Sequence, residues 1–449
     1  MFIGIRTVLL SGLFFLAGTT ASGQDSIRVA TFNVNLSEAV DGGMLSTLSS
    51  PGDLRANITA EIIQRVNPDI ILLNEFDYEP GLAAVNAFRD NYLSVPQNNV
   101  AGGTPSAAVA YPFAYVAPSN TGVPSGFDLN NSGTIGGPND AFGFGEHEGH
   151  FGMALLSKYP ILESDVRTFQ NFLWRDVPGA LLPDNMATPE GEDFFSPEEL
   201  DVLRLSSKSH WDVPIQVGEN VVHVLAAHPT PPVFDGPEDL NGRRNHDEIR
   251  LWADYITPGA GDYLYDDTES AAAPGGGIDP DAAFVILGDY NADPLDGESV
   301  PGAIGQLLDS SRINTSLTPE SLGGPEDSAG EGNINDEHLG DPRFDTSDFN
   351  SDAPGNLRVD YALPSANLSL LDAGVFWPSY SDPEAALISG VPLPGGLTLA
   401  SPIRSPIASD HRLVYVDIVV PEPSSLIVLA GAVVLTIRRR VTGHGPTAV

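Results

Sequence analysis

The chain contains no cysteine among its 449 residues. Disulfides, thiolate nucleophiles and cysteine-bound zinc are therefore excluded, and any metal ion must be held by oxygen or imidazole ligands. Basic residues are also scarce, because 21 lysines and arginines stand against 60 acidic residues and give a formal net charge of -39. Such a chain has no broad cationic face with which to hold a polyanion, so nucleic acid is not the automatic substrate.

The N-terminus has the pattern of a secretory signal. Arg6 precedes an apolar run at residues 8–17, and small residues follow at positions 21–23. A basic residue, an apolar stretch and a small-residue cleavage site in this order are typical of signal peptides. We therefore expect residues 1–23 to be removed and the protein to be exported. The alternative is that the same run forms a buried strand or helix.

The C-terminus carries a second pattern of this kind, at residues 420–440. A Pro-Glu-Pro triplet at residues 421–423 precedes the apolar residues 424–437, and three arginines follow. This order resembles the PEP-CTERM sorting signal of Gram-negative bacteria, which implies cleavage by an exosortase-type enzyme and delivery to the cell envelope or beyond. The apolar run is shorter than a free-standing span of about 20 residues, so the expected membrane anchoring is transient. A buried last strand with a basic tail is the alternative.

The body of the chain, residues 24–419, reads as one elaborated catalytic domain. Residues 27–34 alternate apolar and polar positions and predict a strand, residues 54–66 repeat apolar positions every four residues and predict a helix, and residues 70–73 predict a buried strand. Strand, helix and strand in this order favour a parallel or mixed sheet with helices outside. Further strands are predicted at residues 151–157, 203–207, 221–227, 284–287, 359–363 and 413–419, a helix at residues 245–256, and a long loop at residues 101–149.

Several of these strands end in a carboxylate, amide or imidazole side chain. Polar groups at strand ends meet at one edge of a sheet, where open α/β folds place their ligands. Each group taken alone is as readily a turn residue, a cap or a structural salt bridge. The residues concerned are Asn33, Glu75, His228, Asp289 with Asn291, Asp360, and Asp410 with His411.

Two of these groups have recognisable chemistry. Asp289 and Asn291 lie two residues apart, after an apolar strand that breaks at Gly288, so their side chains can share one side of an extended chain. The carboxylate can take a proton from water, and the amide can donate to a phosphoryl oxygen. An aspartate such as Asp360 beside a histidine such as His411 fixes the tautomer of the imidazole and stabilises its charged form.

Taken together and in order, these blocks resemble the endonuclease/exonuclease/phosphatase family, which includes deoxyribonuclease I, abasic-site endonucleases, neutral sphingomyelinases and inositol polyphosphate phosphatases. The resemblance implies a deoxyribonuclease I-like four-layer α/β sandwich, in which two mixed β-sheets pack face to face with helices outside. The matching blocks are residues 31–33, 68–75, 152–157, His228, and residues 288–291, 358–361 and 409–411.

The resemblance also assigns roles on the metal side of the site. Asn33 and Glu75 become the metal-side residues, with Glu75 the direct ligand of Mg²⁺ or Mn²⁺, and Asp410 assists with metal or substrate. Mg²⁺ needs only one or two carboxylates, because it keeps several waters. Asp289 activates or positions the attacking water, and Asn291 holds the phosphoryl oxygens.

The remaining roles fall on two histidines and their partners. Asp360 orients His411, and His228 binds substrate with Asn291 and protonates the leaving oxygen. In the deoxyribonuclease-like branch the histidine corresponding to His228 has a glutamate partner, for which Glu148 is the candidate here. Lys208 follows a predicted strand and either meets the phosphate or belongs to a packed loop, so it is left out of the predicted site.

We therefore expect an exported, divalent-metal-dependent phosphoesterase that hydrolyses phosphodiester bonds, with an extracellular nuclease as one form. Three alternatives stay open: a phosphomonoesterase, a phosphodiesterase acting on lipids or small molecules, and a non-catalytic envelope or matrix protein that retains the fold. The Asp-rich residues 341–352 offer a structural calcium site, although their spacing does not match an EF-hand loop.

Overall fold

A computed structural model of the chain describes residues 26–100, 103–189, 191, 193–389 and 408–420. The predicted signal peptide, residues 1–23, lies outside these residues, as does the predicted sorting signal from residue 421 onward, including its apolar segment. No helix within the described ranges is long and apolar enough to cross a membrane.

The body of the chain alternates strands and helices, with long irregular connections between several of them. The strands are β1 (Ser26–Asn33), β2 (Ile70–Asn74), β3 (Phe113–Tyr115), β4 (Met153–Ser157), β5 (Arg167–Thr168), β6 (His210–Val217), β7 (Asn220–Ala227), β8 (Ala283–Asp289), β9 (Ser347–Asp348), β10 (Asn356–Leu357), β11 (Asp360–Pro364), β12 (Ser369–Val375) and β13 (Val414–Val419). The α-helices are α1 (Gly43–Leu48), α2 (Leu54–Val66), α3 (Ala83–Phe88), α4 (Pro197–Leu200), α5 (Leu240–Ile256), α6 (Gly305–Leu308), α7 (Gly323–Glu331) and α8 (Ala386–Ser389).

Two large sheets contain most of these strands. The first sheet has the order β12-β13-β1-β2-β4-β3, and the second has the order β11-β8-β7-β6-β5. Only β1 with β2 and β7 with β8 pair in parallel, and every other pair in the two sheets is antiparallel. Each parallel pair is joined by a crossover that contains a helix, α2 in the first sheet and α5 in the second, as parallel pairing requires.

The alternation of side chains along β8 shows how the layers are arranged. Val285 and Leu287 point into the core between the two sheets. Phe284 and Ile286 point to the other face, where they share a second core with Trp252 of α5. Because neighbouring side chains of a strand face opposite ways, β8 is buried on both faces. The predicted four-layer sandwich, with two mixed sheets face to face and helices outside, is confirmed.

The predicted strand at residues 203–207 is wrong. Leu203 and Leu205 alternate as in a strand because both are buried in the second core, but the backbone there pairs only at an isolated bridge between Leu173 and Arg204. The strand begins later, as β6. Pro214 lies in the middle of β6, and a proline within an apolar run argues against a strand when only the sequence is read.

Candidate active site

The ends of strands from both sheets meet at one edge of the sandwich. Asn33 is the last residue of β1 and pairs in parallel with Asn74, so Glu75 follows at the same edge. In the other sheet His228 follows β7, and Asp289 ends the parallel strand β8. The amide of Asn33 connects the two sheets, because its Nδ2 donates to Glu75 Oε1 at 3.1 Å and to Asp289 Oδ2 at 3.0 Å.

Antiparallel pairing brings a second carboxylate to this point. Asp360, the first residue of β11, pairs directly with Asp289. His411, just before β13, lies between the two carboxylates, with Nδ1 2.9 Å from Asp360 Oδ2 and Nε2 3.6 Å from Asp289 Oδ2. Thr346 Oγ1 also donates to Asp360 Oδ2, at 2.9 Å. The imidazole of His411 is therefore held in a fixed orientation by Asp360.

The charges of these buried groups determine their protonation. Burial lowers the pKa of His411, but the charges of Asp360 and Asp289 outweigh that effect and raise the pKa well above its usual value. Burial also raises the pKa of Asp289, yet His411 and His228 outweigh it and lower the pKa below the usual range. The arrangement therefore favours an imidazolium at His411 beside a carboxylate at Asp289.

His228 also approaches the carboxylate of Asp289, but the groups around its imidazole differ from those around His411. Its Nε2 lies 3.4 Å from Asp289 Oδ2, and burial together with the nearby charge of Lys208 lowers the pKa of the imidazole. Its Nδ1 is buried and has no hydrogen-bond partner among the described residues. The expected pairing of His228 with Glu148 is therefore wrong. Glu148 is exposed, and its carbonyl faces His147 Nδ1 at 3.1 Å.

Asn291 braces the end of β8. Its backbone N–H donates to Asp289 Oδ1 at 3.0 Å, and its Nδ2 donates to the carbonyl of Pro229 at 3.2 Å. Its φ of +51° lies in the left-handed region, which asparagine tolerates better than most residues. Asn291 thus lies at the site, between the residues that follow β7 and β8.

Asp410 lies beside His411, and its charge contributes to the raised pKa of that imidazole. Its backbone carbonyl accepts a hydrogen bond from the N–H of Asp348 at 2.8 Å. Among the described residues, the side chain of Asp410 makes no hydrogen bond to Glu75 or Asn33. The predicted metal-side role of Asp410 therefore stays a prediction.

Lys208 lies at the site, although its sequence position predicts a packed loop as readily as a contact with the phosphate. It lies just before β6, is buried, and has a pKa lowered by burial, against the opposing charges of Glu248, Glu75 and Asp289. Its side chain therefore lies within electrostatic reach of the carboxylates of the site. Its place before a strand is the signal that could have identified it, but the misplaced strand at residues 203–207 concealed that position.

The site contains groups that could hold a metal ion. Asp289, Asp360 and His411 offer donor atoms within 4.8 Å of one another. Glu75 is only partly buried, and its Oε2 accepts no hydrogen bond from the described residues, whereas its Oε1 accepts one from Asn33. An available carboxylate oxygen suits a hard cation.

Two packed mixed sheets with carboxylates and imidazoles gathered at one edge define a class of α/β sandwich proteins. The chain belongs to the Endonuclease/Exonuclease/phosphatase family, whose match covers residues 30–411. The predicted family is thereby confirmed. Members of this family are hydrolases that act on phosphate esters and are generally metal-dependent.

Solved structures with related folds cover most of the chain at low identity. An endonuclease/exonuclease/phosphatase from Beutenbergia cavernae is 17% identical, with a TM-score of 0.44 over 88% of this chain and 72% of that one. Sphingomyelinase C from Streptomyces griseocarneus is 13% identical, with a TM-score of 0.42 over 88% and 99% of the two chains. Beta toxin from Staphylococcus aureus with bound magnesium ions is 14% identical, with a TM-score of 0.40 over 87% and 99%. A sequence comparison with curated proteins finds no match.

Proposed function

We propose that the chain is an exported, divalent-metal-dependent phosphoesterase that hydrolyses phosphodiester bonds. The observation that carries this proposal is the buried carboxylate of Asp289, whose Oδ2 is approached by Asn33, His228 and His411. An acidic group held ionised between two imidazoles can position a water and take its proton. Membership of the family supplies the phosphate ester as the substrate class.

Glu75 is the residue best suited to hold a divalent cation, with Asn33 beside it and Asp410 as the further candidate. Carboxylate oxygen fits Mg²⁺ or Mn²⁺ better than a thiophilic metal. When bound, such an ion polarises the phosphoryl oxygens and neutralises charge that develops in the reaction. The hydrogen bond from Asn33 to Oε1 fixes the direction of the Glu75 carboxylate.

The protein side chains divide the proton chemistry between them. Asp289, kept ionised, accepts the proton of the attacking water. His411, held protonated by Asp360 and Asp289, provides positive charge. In place of His228, whose pKa is lowered, it also provides the proton that the leaving oxygen requires. His228 is neutral, donates its Nε2 hydrogen toward Asp289, and can turn the same donor to a phosphoryl oxygen. Asn291 lies next to these groups as a further amide for substrate.

A small or lipid phosphodiester is a second candidate substrate, and the charge of the chain favours it. The net charge of -39 opposes the approach of a long polyanion. Lys208 is one buried cation at the site, which suffices for a single phosphate group but does not provide a path for a nucleic-acid backbone. A phosphomonoester is a smaller phosphate ester that the same single cation could also hold.

The proposed location rests on the two ends of the sequence. Residues 1–23 direct export, and residues 424–437 anchor the chain transiently in the inner membrane. An exosortase-type enzyme then processes residues 420–440, and the catalytic body reaches the cell envelope or the extracellular space. A mass spectrum of the protein isolated from its host would test both cleavages, because retention of either segment contradicts this route.

The deciding experiment is an assay of the purified protein on plasmid DNA, bis-para-nitrophenyl phosphate and para-nitrophenyl phosphate, with Mg²⁺, Mn²⁺ or EDTA. Metal-dependent cleavage of DNA or of the diester, lost in His411→Ala, supports the proposal. The matched control is His223→Ala, because His223 is also paired with a carboxylate, Asp212, at 2.7 Å, but does not contact Asp289. Hydrolysis of the monoester alone would make the protein a phosphatase, and no activity on any substrate with any metal would favour a non-catalytic role.

A further inference from the structure

The long connection between β3 and β4 contains a loop with oxygen-bearing side chains at alternate positions. Asp128, Asn130 and Ser132 are followed by Gly133, so the sequence reads Asp-x-Asn-x-Ser-Gly. This is the first half of the pattern of EF-hand calcium loops, in which the first, third and fifth residues provide ligands and a glycine at the sixth makes a sharp turn.

The loop is folded so that these oxygens gather around Ser132. Asp128 Oδ1 accepts hydrogen bonds from the backbone N–H and the Oγ of Ser132, at 2.9 and 3.2 Å, and Asp128 Oδ2 accepts one from the N–H of Gly133 at 2.6 Å. Asn130 Oδ1 accepts the N–H of Ser132 at 3.1 Å, and Ser132 Oγ donates to the carbonyl of Thr134 at 3.2 Å. Gly133 has a φ of +85°.

A second observation comes from the other end of the loop. Asp140 is 3% exposed, and its Oδ2 accepts the N–H of Gly136, inside the loop, at 2.7 Å. Its Oδ1 is buried and has no hydrogen-bond partner among the described residues. Ser125 Oγ donates to the carbonyl of Asp140 at 2.6 Å, which holds the two ends of the loop together. A buried carboxylate oxygen without a partner is costly, and a bound cation would remove that cost.

Ion pairing does not account for these carboxylates. The sequence has no lysine or arginine between Arg89 and Lys158, and neither Asp128 nor Asp140 forms a salt bridge within the described residues. In the Asp-rich residues 341–352, by contrast, Asp341 pairs with Arg343 at 2.7 Å. A protein cation thus neutralises Asp341, whereas none among the described residues neutralises Asp128 or Asp140.

We propose that residues 128–140 bind a structural Ca²⁺ ion through Asp128, Asn130, Ser132, the carbonyl of Thr134 and Asp140. The loop differs from an EF-hand at its end, because the twelfth position is Asn139 and the carboxylate comes one residue later. That residue closes a short 3₁₀ turn, Pro138–Asp140. Several protein oxygens in one loop suit Ca²⁺ better than Mg²⁺, which keeps more waters. With only two carboxylates, we expect a dissociation constant on the order of 10⁻⁴ to 10⁻³ M, as in extracellular modules.

Calorimetric titration of the chelator-treated full chain with Ca²⁺ alone tests this site. The Glu75→Gln background removes the expected catalytic cation site, so binding that remains is assigned elsewhere. We expect one Ca²⁺ per chain in that background, and about tenfold weaker binding or none when Asp128→Asn is added, because charge count sets affinity in such loops. The matched control is Asp279→Asn, because Asp279 is exposed and also accepts a backbone N–H, that of Asp281, two residues on.

Ser132→Ala and Asp140→Asn provide further variants in the same background. Ser132 is exposed, so its substitution tests the site even if Asp140→Asn fails to fold. Ca²⁺ should also raise the midpoint of thermal unfolding, and that rise should disappear in Asp128→Asn and Ser132→Ala. Calcium binding that survives in both of these variants, or no binding by the Glu75→Gln chain, would overturn the proposal. Either result leaves the proposed phosphoesterase activity untouched, because that activity is measured with Mg²⁺ or Mn²⁺ at a different site.

Discussion

Two histidines approach the same oxygen of Asp289, and they differ in the sign of the other charged group that acts on each imidazole. His411 has Asp360 at 2.9 Å on its far nitrogen. His228 has no partner on its far nitrogen among the described residues, and the charge of Lys208 acts on it. Burial lowers the pKa of both imidazoles; the charges of Asp360 and Asp289 outweigh it at His411, so that pKa is raised, whereas the charge of Lys208 adds to it at His228, so that pKa is lowered. Residue type and a shared acceptor do not determine the charge of a histidine, whereas its burial and its other charged neighbours do.

The topology of the second sheet produces this difference. Strand β11 pairs with β8 on one side, so that Asp360 lies directly opposite Asp289. Strand β7 pairs with β8 on the other side and is followed by β6 in the sheet. Lys208 lies just before β6, close to His228 at the end of β7. An anion thus lies on one side of Asp289 and a cation on the other.

Removal of the charged imidazole should have the largest effect. We expect His411→Ala to lower kcat/KM for a diester substrate by about 10³- to 10⁴-fold, because it removes a positioned proton donor. The same assay on His223→Ala, the carboxylate-paired control on β7, should stay close to the wild type. An equal loss in both variants would mean that His411 matters for folding rather than for catalysis.

Removal of the negative charge of Asp360, next to His411, should have the next largest effect. Asp360→Asn keeps an acceptor near Nδ1 but removes the charge that contributes to the raised pKa of His411. We expect kcat/KM to fall by roughly 10²-fold, within the range for acid–base groups. The basic limb of the pH profile should move to lower pH, because the imidazolium loses its proton more readily. A lower rate with an unmoved profile would assign Asp360 a structural role only.

Substitution of Lys208, whose charge acts on His228, tests the opposite change, a rise in a histidine pKa. Lys208→Met keeps a long buried side chain but removes the charge that, together with burial, lowers the pKa of His228. We expect a loss of about tenfold, chiefly as a higher KM, because a phosphate group loses one nearby cation. The pKa of His228, followed by NMR of the imidazole, should rise. A fall in kcat alone would place Lys208 in the chemical step instead.

The sequence predicts the parts of this site that lie at strand ends. Asn33, Glu75, Asp289 and His411 each follow or precede a strand with a clear apolar pattern, and the structure brings them together. Parallel pairing at the same edge explains why such positions meet. These contacts are determined by the sheet, so a local pattern suffices to find them.

The position of Lys208 near His228 could not be predicted from a strand-end pattern. Lys208 reaches the site only through β6, whose strand pattern is interrupted by Pro214. Glu148 lies in an irregular connection, and no periodic pattern fixes where its side chain points. The loop that starts at Asp128 likewise lies within one long predicted connection. Side chains on irregular segments are placed by tertiary contacts, which composition and periodicity do not reveal.

The smallest expected effect is a pH dependence of stability with opposite signs for the two histidines. For His411, whose folded-state pKa lies above 6.5, the contribution to stability is full below pH 6.5 and is lost as the pH rises through the folded-state value. For His228, whose folded-state pKa lies below 6.5, the unfolded chain binds the proton first, so stability is lost as the pH falls below 6.5.

Thermal unfolding of His411→Gln and His228→Gln between pH 5.5 and pH 8 measures these signs. His411→Gln should be most destabilising, relative to the wild type, at the acid end of that range, and His228→Gln should be least destabilising there. The change across the range should therefore have opposite signs for the two variants. Parallel curves for the two variants would contradict the comparison, because they would mean that both imidazoles carry the same charge in the folded protein.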